Sequence, residues 1–231
     1  MTASTRADVV RAIEASGVVA VIRLHDGQAG HDVALALADG GVTALEVTMT
    51  VPGAVRLIEQ LAATLPSNVL IGAGTVLDPE TARSVILAGA RFVVSPVWRL
   101  AVIEMCHRYD VAALPGCFTP TEILGAWEAG ADLVKVFPAT ALGPGFFKDM
   151  RGPLPQVKLM PTGGVTRENA GEWIRAGAFA IGVGTALVDR KAVAERRFAA
   201  ITAAARHFVA AVRDARERVE RPERSERFER V

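Results

Sequence analysis

Lys135 is the residue of this chain whose surroundings raise the question of chemistry. It stands in Ala131-Asp132-Leu133-Val134-Lys135-Val136-Phe137-Pro138-Ala139, an apolar run stopped by a proline that cannot extend a ladder. Read as a strand over Leu133–Phe137, the run puts Leu133, Lys135 and Phe137 on one face and Val134 and Val136 on the other. Both faces are otherwise apolar, the pattern of a parallel strand covered on each side. An unpaired ammonium in such a place costs several kcal/mol or gives up its proton. Two readings follow. One is a lysine that snorkels to water or pairs with an acid; the other is an amine placed to attack a carbonyl.

A second internal charge falls in Ala44-Leu45-Glu46-Val47-Thr48, where alternation puts Glu46 on the face of Ala44 and Thr48. It reads either as a structural carboxylate or as a general acid/base close to the amine. An acid and an amine in one water-poor cavity tune each other toward working pH. Glycines gather later, in Pro161-Thr162-Gly163-Gly164 and Gly182-Val183-Gly184-Thr185. One glycine after a strand is usually a turn. Two such loops after consecutive strands suggest a phosphate site, because glycine lets backbone N–H groups face an anion. Arg23 ends the run Val18–Arg23 with the parity of Val19 and Val21, and a guanidinium can grip a carboxylate or phosphate with two hydrogen bonds. Its expected role is the carboxylate, with the phosphate as the alternative; the structural rival is a rim arginine paired with Asp26.

These residues need a scaffold that brings distant strand ends together. The chain opens with a helix over Asp8–Ser16, closed by Gly17. Apolar runs at Val18–Arg23, Ala44–Thr48, Leu70–Ala73 and Phe92–Ser95 are each followed by a helical stretch. The same holds for Ala112–Leu114, Leu133–Phe137, Lys158–Pro161 and Ala180–Val183, the last leading into a long helix over Ala194–Val212. Asp78-Pro79-Glu80 and Thr119-Pro120-Thr121-Glu122 are helix-start signatures. Eight strand–helix pairs favour an α/β fold of the (β/α)8 TIM-barrel type over an open sheet. In a barrel the active groups sit at the C-terminal strand ends, where Arg23, Glu46, Thr75, Lys135, Phe137, Gly163, Gly164, Gly184 and Thr185 all fall. Residues 1–212 are expected to form the barrel and 213–231 a charged extension, helical or disordered, facing solvent.

Composition narrows the function. The chain has 231 residues with 26 basic against 25 acidic, a balance that offers no nucleic-acid or membrane footprint. Cys106 and Cys117 cannot make a disulfide framework, and no Cys/His set has zinc-ligand spacing. The first residues lack an apolar signal core and no apolar run is long enough to span a bilayer, which makes a cytoplasmic location the default. Cys117 is assigned no role, Trp127 and Trp173 read as packing, and the loop-borne Trp98 stays open.

Taken together, the motifs are recognisable. Glu46-Val47-Thr48, Ile71-Gly72-Ala73-Gly74-Thr75-Val76, Val94-Ser95-Pro96, Leu114-Pro115-Gly116, Lys135-Val136-Phe137-Pro138-Ala139 and Pro161-Thr162-Gly163-Gly164-Val165 occur in this order. The stretch from about Val18 to Leu187 strongly resembles the 2-keto-3-deoxy-6-phosphogluconate (KDPG) aldolase family, which includes 4-hydroxy-2-oxoglutarate and phosphogalactonate-specific aldolases. The resemblance implies a class I aldolase that needs neither metal nor cofactor, a homotrimer of barrels, acting on a phosphorylated 2-keto acid. It makes Lys135 the Schiff-base lysine and Glu46 the general acid/base. Thr75 would lie near the pyruvate carboxylate and Phe137 beside the imine, with Gly163, Gly164, Gly184 and Thr185 forming the phosphate loops. Thr50 departs from the pattern, since many members carry arginine there, so carboxylate recognition must be arranged differently. The competing readings are a phosphosugar isomerase or epimerase and a non-catalytic phosphosugar-binding barrel.

Overall fold

A computed structural model describes residues 5–25, 27 and 29–220. Helix α1 (Arg6–Ser16) begins at Thr5, whose hydroxyl accepts the Asp8 N–H while the Asp8 carboxylate accepts the Thr5 N–H, a reciprocal cap. Hydrogen bonds donated to the exposed Asp8 carboxyl by the Thr5 hydroxyl, and then by the Thr5 N–H, hold it below its usual range. The helix ends at Gly17 with φ 67.

Strands and helices then alternate. The first half holds β1 (Val18–Ile22), α2 (Gly30–Asp39), β2 (Ala44–Thr48), α3 (Ala54–Thr64), β3 (Leu70–Gly74) and α4 (Pro79–Leu87). There follow β4 (Phe92–Val94), α5 (Leu100–Arg108), β5 (Ala112–Leu114), β6 (Gly116–Cys117), α6 (Pro120–Glu128) and β7 (Val134–Val136). The last part holds α7 (Gly143–Met150), β8 (Leu159–Pro161), α8 (Ala170–Arg175), β9 (Ile181–Val183), α9 (Arg190–Ala194) and α10 (Phe198–Glu220). None of the helices among the described residues is long and apolar enough to cross a membrane.

All strand pairs are parallel, in the orders β5-β4-β3-β2-β1-β9 and β6-β7-β8. β5 and β6 are halves of one barrel strand parted at Pro115, which has no N–H to donate but whose carbonyl accepts the Lys135 N–H at 2.9 Å. A bridge between Thr162 and Gly182 joins the end of β8 to β9. The sheet therefore curls into the TIM-barrel arrangement that the alternation predicts.

Two apolar layers hold it. Outside the strands, the helices pack against outward-facing aliphatic residues, with the Trp173 ring meeting Phe147 edge-to-face at 5.2 Å. Inside, Val19, Ala44, Leu70, Phe92, Leu133 and Met160 meet Val9, Val10 and Ile13 of α1. The lead helix thus covers the N-terminal end of the barrel and completes an apolar floor within it.

Some boundaries differ from the sequence-based expectation. The strand around Lys135 is shorter, Val134–Val136, with Leu133 and Phe137 flanking it. The single long C-terminal helix is two, because Arg196 turns left-handed at φ 52 and pairs with Asp32 of α2 at 2.8 Å. Helix α10 then passes Val212 and reaches Glu220, so the boundary drawn at 212 falls inside a helix. Its charged part is not all solvent-facing: Ala215 is buried, and Arg216 donates to the carbonyls of Ala15 and Phe179 at 3.5 and 2.9 Å. Residues 221–231 lie outside the described residues, as does Asp26, the rival partner of Arg23.

Candidate active site

The site stands on the apolar floor. Leu133 and Ala44 belong to that floor, so strand alternation sets Lys135 and Glu46 one layer above it. Both are buried, Lys135 at 5% and Glu46 at 1% exposure. They do not form an ion pair, but each lies within the other's field. Burial pushes the Glu46 carboxyl above its ordinary range, and the charges of Lys135 and then Arg23 pull part of that rise back. Glu46 Oε2 has no hydrogen-bond partner, a costly arrangement for a buried acceptor unless it has work to do. Gly74 makes it sterically possible, since a β-carbon there would overlap the Glu46 carboxyl. The Lys135 ammonium nitrogen lies 5.0 Å from the Phe137 ring centroid.

Above β3, Thr75 is half-buried with φ 62, a left-handed conformation unusual for a β-branched side chain. Such strain tends to collect at functional sites. Above β2, the hydroxyls of Thr48 and Thr50 are 2.8 Å apart, and that of Thr48 also faces the Ile22 carbonyl at 3.3 Å. Thr50, standing where an arginine was the alternative, is exposed.

The remaining candidates gather around a cavity of about 170 Å³ at the mouth, on the β8–β9–β1 side. Arg23, Phe137, Gly163, Gly164, Gly184 and Thr185 line it. Gly163 and Gly164 have φ 91 and 75, values that L side chains rarely adopt. The Asn169 amide donates to the Gly164 carbonyl at 2.8 Å while its oxygen accepts the Thr166 N–H at 2.8 Å, which fixes this loop. A β-carbon at Gly184 would meet nothing within 4 Å, so that backbone faces open space. Lys135, Glu46 and Thr75 do not line the cavity. Phe137, which borders both, connects the two regions.

Comparison with known proteins gives the family. The KDPG and KHG aldolase family matches residues 9–204. The chain belongs to this aldolase family. It is 37% identical over 153 residues to 2-dehydro-3-deoxy-6-phosphogalactonate aldolase of Escherichia coli, covering 66% of this chain and 75% of that protein. A KDPG aldolase from Legionella pneumophila, solved with pyruvate captured as a covalent carbinolamine intermediate, superposes with TM-score 0.80 at 32% identity, over 86% of this chain and 97% of that one. A cube-shaped protein cage, designed by fusing symmetric oligomeric domains, superposes with TM-score 0.81 at 31% identity, over 88% and 74% of the respective chains. Members of the family are lyases of the aldolase type.

Within this aldolase fold, one residue at the cavity escaped the sequence reading. Thr162 is buried, lines the cavity, and its hydroxyl has no hydrogen-bond partner. The signal was present in Pro161-Thr162-Gly163-Gly164, but the glycines took the weight. Cys117 is buried with its thiol facing the Glu122 carbonyl at 3.4 Å, and burial pushes that thiol up to about 12, which leaves it unreactive. Trp173 packs in the core, whereas Trp98 is exposed.

Proposed function

We propose that this member of the family is a class I aldolase in which Lys135 forms a Schiff base with a phosphorylated 2-keto acid. The observation that carries the reading is a buried lysine and a buried, partnerless glutamate set one layer above an apolar floor. The carbinolamine named for the Legionella relative supports the same chemistry here.

The unprotonated Lys135 Nζ adds to the C2 ketone, and loss of water leaves an iminium that can accept an electron pair. Glu46, through a water, moves protons in that step and then takes the C4 hydroxyl proton. The C3–C4 bond breaks into the iminium, releasing an aldehyde and leaving an enamine. Protonation at C3 and hydrolysis release pyruvate and restore the amine. With 2-keto-3-deoxy-6-phosphogluconate the aldehyde is glyceraldehyde 3-phosphate; with 4-hydroxy-2-oxoglutarate it is glyoxylate. The glycine-lined cavity would hold the phosphate and orient the substrate by contacts remote from the breaking bond. The position of Arg23 in that cavity supports a phosphate role for it over the carboxylate role that strand parity suggests. Thr75 and neutral donors would then meet the carboxylate.

A second substrate reading rests on the phosphogalactonate relative: the substrate would differ in configuration at C4. For the assembly, the symmetric oligomeric domains of the cage support a homo-oligomer, which we read as a trimer in a cytoplasmic setting. Borohydride reduction with pyruvate, followed by peptide mass analysis, tests the core of the proposal. An adduct on Lys135 is expected. An adduct on Lys148 or Lys158, or none, would refute it, since an isomerase or a binding protein forms no imine. Initial rates on the three cleavage substrates would then select among them.

A further inference from the structure

Three cationic side chains from separate parts of the chain converge on residues 177–179, within the short link between α8 and β9. A β-carbon at Gly177 would overlap the Arg151 side chain, and the φ of 102 there favours glycine. The Lys158 ammonium nitrogen lies 5.4 Å from the Phe179 ring centroid. Arg216 donates to the Phe179 carbonyl at 2.9 Å and to the Ala15 carbonyl of α1 at 3.5 Å. Together the three line a cleft of about 490 Å³ in which Glu14 is the one acid among the lining residues. Lys158 and Phe179 stand just before β8 and β9, so the cleft opens at the end of the barrel opposite the glycine-lined cavity.

The geometry points to this cleft as a second binding site of the chain, for a small anion that bears at least two negative charges on phosphate or carboxylate groups. Arg151 and Lys158 form no ion pair among the described residues. A ring face and a glycine backbone set their positions but carry no net charge. Like charges gathered in this way repel one another, and an entering anion relieves the repulsion. Two guanidinium groups present forks that match the oxygen pairs of phosphate or carboxylate, and the ammonium adds a point charge. The volume falls in the range of small-molecule sites. The chain as a whole is nearly neutral, with 26 basic and 25 acidic residues, so the positive field is local and suits a small ligand better than a nucleic acid. The site uses none of the residues assigned to the Schiff-base reaction, so either proposal can fail without the other.

The test is isothermal titration calorimetry of the full chain with sodium pyrophosphate and, separately, with citrate. The proteins are wild type, Arg151→Gln, Lys158→Gln, Gly184→Val and Arg108→Gln. Wild type should bind at least one of the two anions, and the tighter one assigns the ligand chemistry. Arg151→Gln and Lys158→Gln should each weaken that binding by about 10-fold, the loss of one charge-assisted contact. Gly184→Val, which fills the cavity at the mouth, should retain the site, as should the variant at Arg108, an exposed arginine on α5. If Lys158→Gln fails to fold, the exposed Arg151 carries the comparison. A wild type that binds neither anion overturns the proposal. So does binding that Gly184→Val abolishes and Arg151→Gln retains, which would belong to the mouth. Equal weakening by Arg108→Gln overturns it as well, since the attraction would then come from surface charge at large.

Discussion

The Glu46 carboxyl occupies the space that a side chain at Gly74 would fill. Two strands thus share one volume, and the glycine in β3 is what allows the acid in β2 to reach over it. Gly74→Ala should push Glu46 off its position while leaving the strands paired. Turnover is expected to fall by roughly 100-fold, the lower end of what a positioned acid/base contributes, with the pyruvate adduct on Lys135 still forming. Steady-state kinetics beside borohydride trapping measure both; unchanged turnover would show that the placement of Glu46 is not catalytic.

Lys135→Met should abolish trapping and cleavage together. It should not destabilise the fold, because an apolar side chain of similar length replaces a buried amine that has no ion-pair partner and whose burial is costly. A melting temperature at or above that of wild type is the expected result. A marked drop would mean that the lysine has a structural partner.

Glu46 should also leave a mark on stability against pH. Its folded carboxyl titrates above the ordinary value of 4.5, so between 4.5 and the raised value the native state binds more protons than the unfolded one. Stability therefore falls as pH rises through that window and is unaffected by this group below it. Glu46→Gln removes the effect. The variant should gain on wild type in urea denaturation as pH is raised from 4.5, with no relative gain at lower pH. A stability difference that stays constant across this range would show that the carboxyl is not raised.

The cavity offers a test of phosphate binding that spares the fold. Gly184→Val adds a side chain into space that no atom occupies within 4 Å of the new β-carbon. The Michaelis constant for phosphorylated keto acids should rise by about 10-fold, equal to roughly 1.4 kcal/mol, with 4-hydroxy-2-oxoglutarate little affected. Arg23→Met should show the same split and leave pyruvate trapping intact. Slower trapping by that variant would return Arg23 to the carboxylate.

Much of this was legible in the sequence because the signals were periodic. Apolar runs alternating with helical ones count the barrel strands, and a single lysine in such a run stands out against its neighbours. The glycine pair after β8 and the single Gly184 after β9 announce a backbone-lined cavity. What stayed hidden depends on backbone angles or on distant packing. Nothing in Gly74-Thr75 announces that threonine, not glycine, takes the left-handed turn at φ 62. Arg196 likewise breaks the C-terminal helix without a glycine or proline to mark the place. The orphaned hydroxyl of Thr162 is visible only once β8 and β9 lie side by side. The burial of Ala215 was masked by the charges on either side of it in sequence.

Helix α1 has a consequence for traffic. With Val9, Val10 and Ile13 packed beneath Lys135, the barrel is a cul-de-sac. Under the mechanism proposed above, the substrate would travel to the lysine keto-acid end first, with its phosphate trailing at the mouth. After the carbon–carbon bond breaks, the fragment tethered to Lys135 would lie behind the one cut loose, so the aldehyde would back out before pyruvate could follow. In the synthetic direction the queue would reverse, with pyruvate seated before an aldehyde docks behind it.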